Sequence, residues 1–438
     1  MNILIVGSGA REHAITKSLS LSKHTPDLYC CGTSRNPGIE ELSQGYWVGD
    51  ITDIDQVVLQ AKQWHVVMAI IGPEAPLEHG LADALDACGI AVIGPKKQLA
   101  QIEASKGFAR NLMQKYRIPG LPKYKTFSNM EGIAEFLHEL GSESYVVKAN
   151  GLMAGKGVKV AGDHLHSYKD ALDYCKEIFA QGQSLVIEEK LIGQEFSFMC
   201  FSDGITLVPM PVIQDHKRAY VDDKGPNTGG MGSYSAANHR LPFLDVSDIE
   251  QAWNINQSVI NALMAETREK YKGILYGGFI ATATGVYVIE FNARFGDPES
   301  LNVLSILESD FVDLCVSITN GTLLADQAKF SQKATVCKYA VPEGYPDHPL
   351  RHVEIDIHQV QNKSYLYLAA VDNDEGKLYA TGSRTAAYVG VADTISLAEE
   401  IAECEMNHIQ GPVFHREDIG TSELINKRIE FMKRLRAL

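Results

Sequence analysis

The run VYVIEFNARFGDPES, from Val286 to Ser300, decides the reading of this chain. Val286, Tyr287, Val288 and Ile289 form a β-branched, alternating stretch that predicts a strand. Side chains two apart on a strand share a face, so Glu290 and Asn292 are delivered together at its end. A carboxylate beside an amide oxygen suits a hard divalent cation that keeps its other positions for water and phosphate. Arg294 continues the parity and adds a fork-shaped cation. Asp297, Pro298 and Glu299 then turn the chain away. A solvated strand end would explain Glu290 and Asn292 alone. It does not explain Arg294, the interleaved Phe291 and Phe295, or the GDPE turn. The combination predicts phosphoryl transfer.

Working outward, 438 residues exceed one core and predict about three domains at roughly 150 residues each. The net charge of −15 argues against a nucleic-acid or anionic-membrane surface, so any phosphate ligand needs a local positive cluster. Eight cysteines show no CxxC and no zinc spacing, as expected of reduced thiols in a cytosol. The chain opens directly on a strand, and no apolar run approaches the ~20 residues of a spanning helix. A cytoplasmic protein is expected.

Residues 1–103 alternate strands and helices (NILIVG, DLYCCG, VVMAIIGPE, IAVIGP), which predicts a parallel α/β sheet. A helical connection over 104–122 ends at IPGLP. A small α+β unit spans 123–192 and a larger one 193–330. Short strands and two closing helices occupy 331–438. The fold class is therefore α/β and α+β, multidomain.

Three segments could face phosphates. In NGLMAGKGVKV, Gly151, Gly155 and Gly157 free backbone N–H groups and Lys156 adds charge. Lys148, amid the apolar strand YVVKA, needs a partner to justify burial, and a nucleotide phosphate would serve. In VIEEKLIGQEF, the edge Glu188–Leu191, with Glu189 and Lys190, can bond an adenine, and Glu195 can hold ribose hydroxyls. QDHKRAYVDDKGPNTGGMG (214–232) supplies the positive cluster: His216, Lys217 and Arg218, followed by Gly229 and Gly230 in a glycine-rich loop. At the N-terminus, GSGAREHA lacks the third glycine of a dinucleotide fingerprint, because Glu12 stands there. The turn can still take a single phosphate at a helix start.

Together these segments resemble the ATP-grasp enzymes, and within them the glycinamide ribonucleotide synthetase family. GSGAREHAI, SRNPGI, IIGPEAPLEHGLADAL, IEASKGFARNLM, YVVKANGLMAGKGV and DHKRAYVDDKGPNTGGMG carry the likeness over nearly the whole chain. It implies an N-terminal α/β domain, a two-part ATP-grasp fold and a C-terminal α/β domain. It also implies ligation of glycine to 5-phosphoribosylamine through glycyl phosphate, using ATP and Mg²⁺ or Mn²⁺. Glu290 and Asn292 would be the metal ligands. Lys106, Lys148, the glycine loop, Glu188 to Leu191 and Glu195 would hold the nucleotide. Arg294, Asp297, Asp215 and Lys217 would serve glycine and its activated form. Gly9, Arg11, Asn36, Pro37, Gly38, Glu74, Gly229 and Gly230 would meet phosphoribosylamine. The implied partners are small molecules, with neither nucleic acid nor membrane, for a monomer or weak homo-oligomer. The sequence departs from the family pattern at Ala10, Asn150 and GDPESLN. Another ATP-grasp carboxylate–amine ligase is the alternative.

Overall fold

A computed structural model describes residues 1–152 and 157–437; Gly155 and Lys156 of the glycine loop lie outside the described residues. The N-terminal sheet is built from β1 (Asn2–Val6), β2 (Asp27–Gly32), β3 (Gly45–Val48), β4 (Met68–Ile71) and β5 (Ala91–Ile93). All pairings are parallel, in the order β3-β2-β1-β4-β5. Ile3, Leu4, Ile5 and Val6 are wholly buried, as a strand covered on both faces requires. The strand order reverses between β1 and β4, which opens a crevice at their carboxyl ends. Gly7 and Gly72 stand there, and the Glu12 side chain fills the space between them. A β-carbon on Gly72 would lie 2.0 Å from Glu12 Oε1. The run EAPLEHGLADALDA forms two short helices, Glu74–His79 and Leu81–Ala87, because Gly80 adopts φ 91° between them.

The next unit is an antiparallel sheet of β6 (Tyr124–Phe127), β7 (Tyr145–Ala149), β8 (Val158–Val160) and β9 (Leu185–Glu189), ordered β6-β9-β7-β8. Two helices, Ile133–Leu140 and Tyr168–Ala180, cover it. Its core, including Phe136, Leu137, Tyr145, Val147 and Ile187, is a hydrophobic cluster separate from that of the rest of the chain. A unit with its own core can move as a body against its neighbours.

Further strands follow in chain order: β10 (Gln194–Asp203), β11 (Leu207–Pro209), β12 (Gln214–Asp215), β13 (Arg218–Tyr220), β14 (Lys224–Asn227), β15 (Gly232–Ser235), β16 (Lys272–Ala281), β17 (Val286–Asn292) and β18 (Ala334–Pro342). β11-β10-β16-β17 form one antiparallel sheet. The strands flanking the 214–232 loop belong elsewhere. β12 and β15 extend the C-terminal sheet through β15–β18 pairs such as Ser233↔Cys337. The loop is therefore framed by the C-terminal part of the chain. No helix among the described residues is long and apolar enough to cross a membrane.

Asn36 ties the two ends of the chain together. Its Oδ1 accepts from the Gly38 and Ile39 N–H groups, capping the short helix Pro37–Glu41. Its Nδ2 donates to Ser8 O at 3.0 Å and to Leu368 O at 2.8 Å. Asn36→Ala would strip a cap and leave buried carbonyls unpaired, so a loss of about 2–3 kcal/mol is expected from urea unfolding. An unchanged midpoint would show that this tether contributes nothing.

Candidate active site at the β17 edge

β17 carries a bulge. Gly278 pairs with Glu290, but the adjacent Phe279 pairs with Val288, leaving Ile289 extra. The bulge shifts the alternation: Val286 and Val288 are buried, and then Phe291 is, so Glu290 and Asn292 share the half-buried face. The Asn292 amide takes no partner among the described residues. Glu290 has Lys217 Nζ at 3.6 Å. Burial would raise its carboxyl, but Lys217, Lys148, Lys106 and Arg294 outweigh it and hold the group ionised. An ionised carboxylate beside an uncommitted amide oxygen fits a hard divalent cation.

Behind this edge lies a buried ionic knot. Arg110, on the helix Lys106–Lys115, clasps Glu188 through Nε at 2.7 Å and Nη2 at 3.0 Å. Its Nη2 also donates to Val288 O and, at 2.7 Å, to Ile289 O. Lys148 Nζ meets Glu188 at 2.7 Å and Ile289 O at 3.2 Å. Burial opposes ionisation of Glu188, yet Arg110 and Lys148 push its carboxyl down to about 2. The partner that Lys148 needed is thus Glu188. Lys106 Nζ bonds Gly151 O at 2.9 Å, and burial lowers its pKa despite Glu290 nearby. Asn150 Oδ1 accepts from the Gly107 N–H, fixing the glycine loop's base to the helix start. Along the β9 edge, Glu189 accepts from the Lys123 N–H at 2.7 Å and Lys190 Nζ reaches Ala161 O at 2.7 Å. Leu191 is half-buried and Glu195 exposed.

Toward the N-terminal domain, Arg294 lies between two carboxylates, Glu103 at 2.9 Å and Glu74 at 3.3 Å. The Glu74 contact lacks hydrogen-bond geometry and is ionic only. Burial raises the Glu103 carboxyl to about 7 against Arg294, with Glu74 adding to the rise. Burial acts likewise on Glu74, but Arg294 and Arg11 hold it low. Arg11 Nε is engaged by Glu12 at 2.6 Å, and its Nη1 by Phe295 O. The Gly9 N–H also donates to Glu12, at 2.7 Å. The helix start expected to take a phosphate is therefore capped from within. Pro37 opens its short helix, and Gly38 lies against the His13 ring.

The 214–232 loop closes the remaining side. Lys217 Nζ stands between Glu290 and Glu195, the latter at 3.9 Å. Burial would lower its pKa, but Glu290, Glu195 and Asp215 raise it overall. Among the described residues Asp215 Oδ1 is buried without a hydrogen-bond partner, and burial beside Glu299 lifts its carboxyl well above the usual range. A small pocket here is lined by Glu195, Asp215, Lys217, Tyr276 and Glu290. Asp297 accepts from the Tyr339 hydroxyl at 2.6 Å and pairs with Arg384 at 3.2 Å. Arg384 Nη1 also gathers the carbonyls of Gly229, Gly230 and Asp297.

Sequence reasoning missed Glu103, Arg110, Glu299 and Arg384. Arg110 could have been found, since a lone Arg among Phe108, Ala109, Leu112 and Met113 demands a buried counter-charge. Arg384, in a glycine–serine turn, gives no such signal.

A separately packed α+β unit set beside an antiparallel β-sheet whose edge bears oxygen donors is the arrangement of the ATP-grasp class. Solved structures agree. A biotin carboxylase from Campylobacter jejuni covers 99% of the chain with TM-score 0.76 at 13% identity, a likeness of fold alone. The family models describe the phosphoribosylglycinamide synthetase N domain over residues 1–103, its ATP-grasp (A) domain over 104–300 and its C domain over 335–422. A phosphoribosylamine–glycine ligase from Methanosarcina barkeri is 49% identical over 436 residues, covering 100% of both chains. One from Methanosarcina acetivorans is 50% identical, covering 100% of this chain and 98% of its own. The solved phosphoribosylamine–glycine ligase of Thermotoga maritima matches with TM-score 0.81 and 25% identity, over 95% of this chain and 100% of its own. The chain belongs to the phosphoribosylglycinamide synthetase family.

The ionic knot generates a stability test. Arg110→Met leaves Glu188 buried with Lys148 alone and should cost about 3–5 kcal/mol. Because the folded pKa of Glu188 is depressed, its stabilisation is present above the ordinary carboxylate range and is lost as pH falls through about 2. Acid titration of stability should be shallower in Glu188→Gln than in the parent; identical acid limbs would contradict this.

Proposed function

We propose that this protein joins glycine to 5-phosphoribosylamine, consuming ATP and releasing glycinamide ribonucleotide, ADP and phosphate. The observation that carries the proposal is the β17 end, where Glu290 and Asn292 share one half-buried face and Lys217 Nζ stands 3.6 Å from Glu290. The full-length likeness to phosphoribosylamine–glycine ligases supports the choice of substrates.

In this reading the adenine lies along the backbone edge of Glu188 to Leu191 and the ribose meets Glu195. The phosphates run beneath Lys106, Lys148 and the glycine loop that begins at Gly151. Arg110 holds Glu188 in place, so the edge is rigid before nucleotide arrives. Magnesium, or manganese in its place, bound by Glu290 and Asn292, would neutralise phosphate charge as the phosphoryl group transfers. A glycine carboxylate oxygen attacks the γ-phosphorus and ADP departs, giving glycyl phosphate. Lys217 and Arg294 hold that anion by charge. The amine of phosphoribosylamine then attacks the acyl carbon; the carbon–nitrogen bond forms, and the carbon–oxygen bond to phosphate breaks. Asp297, Glu74, Gly229 and Gly230 bound the side from which that amine approaches. Such transfer rests on position and charge, with no protein nucleophile.

Two measurements test the reading. ADP release should require glycine and phosphoribosylamine together; bicarbonate or another amino acid replacing glycine with equal efficiency would shift the assignment to another ATP-grasp ligase. Glu290→Gln deletes one ligand charge at constant volume. It should keep the fold while lowering turnover roughly a thousandfold or more. Near-normal turnover in millimolar Mg²⁺ would remove Glu290 from the site.

A further inference from the structure

The 5-phosphate of the sugar substrate needs a cation, and among the described residues Arg11, Arg294 and Arg384 stand close to the Asp297 turn. Two are committed. Arg11 is engaged by Glu12 and by Phe295 O. Arg294 is held between Glu103 and Glu74. The helix N-terminus beside them does not replace these cations, because Glu12 already takes the Gly9 N–H.

Arg384 differs. It arrives from the C-terminal part of the chain, and its contacts fix Nη1 and Nη2 while leaving Nε without an acceptor among the described residues. Nη1 donates to Gly229 O at 2.8 Å, Asp297 O at 3.0 Å and Gly230 O at 3.2 Å, while Nη2 pairs with Asp297 Oδ2 at 3.2 Å. The guanidinium lies over the Tyr339 ring, 4.6 Å from its centroid, which sets its plane. Among the described residues, Nε has no acceptor, and the side chain keeps 17% of its surface exposed. The fork edge made by Nε and Nη2 is therefore oriented in advance, in the geometry that suits two phosphate oxygens.

Its neighbours belong to the proposed acceptor side. A β-carbon on Gly9 would stand 4.0 Å from Asp297 Oδ2, and one on Gly229 only 3.1 Å from the Arg384 guanidinium carbon. Gly9 is thus a neighbour of Asp297, Asp297 pairs with Arg384, and Arg384 packs against Gly229, a chain of contacts from the N-terminal domain to the glycine-rich loop.

We propose that Arg384 is a substrate-binding residue, taking the 5-phosphate of phosphoribosylamine on its Nε–Nη2 edge. The proposal rests on the ligase reading above. Asp297 Oδ2, paired with Nη2 on its other hydrogen, faces the uncharged or cationic part of the same substrate.

Steady-state kinetics of Arg384→Met, with ribose 5-phosphate as a stable probe in calorimetry, test this. The expected result is a KM for phosphoribosylamine raised about thirtyfold or more, with ribose 5-phosphate affinity falling alike. The KM values for glycine and ATP should stay within about twofold, because a lost phosphate contact does not touch them. Arg384→Lys, which keeps the charge and loses the fork, should fall between and guards against a misfolded Met variant. Unchanged ribose 5-phosphate affinity would overturn the proposal. So would an equal weakening of all three substrates, which would make Arg384 a brace for the loop alone. A parent enzyme that turns over without phosphoribosylamine would instead sink the ligase reading, whatever the variants do.

Discussion

The site depends on the clasp between Arg110 and Glu188. Arg110 is 1% exposed, and its guanidinium joins three pieces distant in sequence: the helix Lys106–Lys115, the β9 edge and the bulge of β17. Two buried charges with two hydrogen bonds between them hold position well, although their net contribution to stability is modest once desolvation is counted. Removing one partner is another matter, since it strands a charge in the interior. The clasp therefore sets geometry. It fixes the carbonyl of Ile289, and with it the residue that follows, Glu290.

Lys148 shows the same economy of parts. The strand reading demanded a counter-charge for a lysine among apolar residues, and Glu188 supplies it at 2.7 Å. One carboxylate thus serves both an arginine that shapes the scaffold and a lysine poised beside the Glu290 edge. Charge is arranged similarly at Arg294, between Glu103 and Glu74. In both places a cation is held in position by acids.

Much of this was legible in the sequence, and the limits have physical causes. Strands with a dense β-branched and apolar run, such as VYVI, announce themselves because that composition is a local property. The bulge at Ile289 does not, for it is set by a register shift against Gly278 on a separate strand. The split helix at Gly80 and the pairing of β15 with β18 likewise arise from contacts beyond any local window. Glu12 was read as a missing glycine. The structure adds that its side chain occupies the crevice between Gly7 and Gly72 and caps its own helix. Arg384 was invisible because a basic residue in a turn carries no signature until its carbonyl partners are in place.

The central claim is that the β17 edge transfers a phosphoryl group from ATP to the glycine carboxylate. Glycine labelled with ¹⁸O in both carboxylate oxygens tests it most directly, with released phosphate analysed by mass spectrometry after one round of ligation. The account predicts one labelled oxygen in the phosphate and one retained in the amide product. Unlabelled phosphate alongside product formation would contradict it.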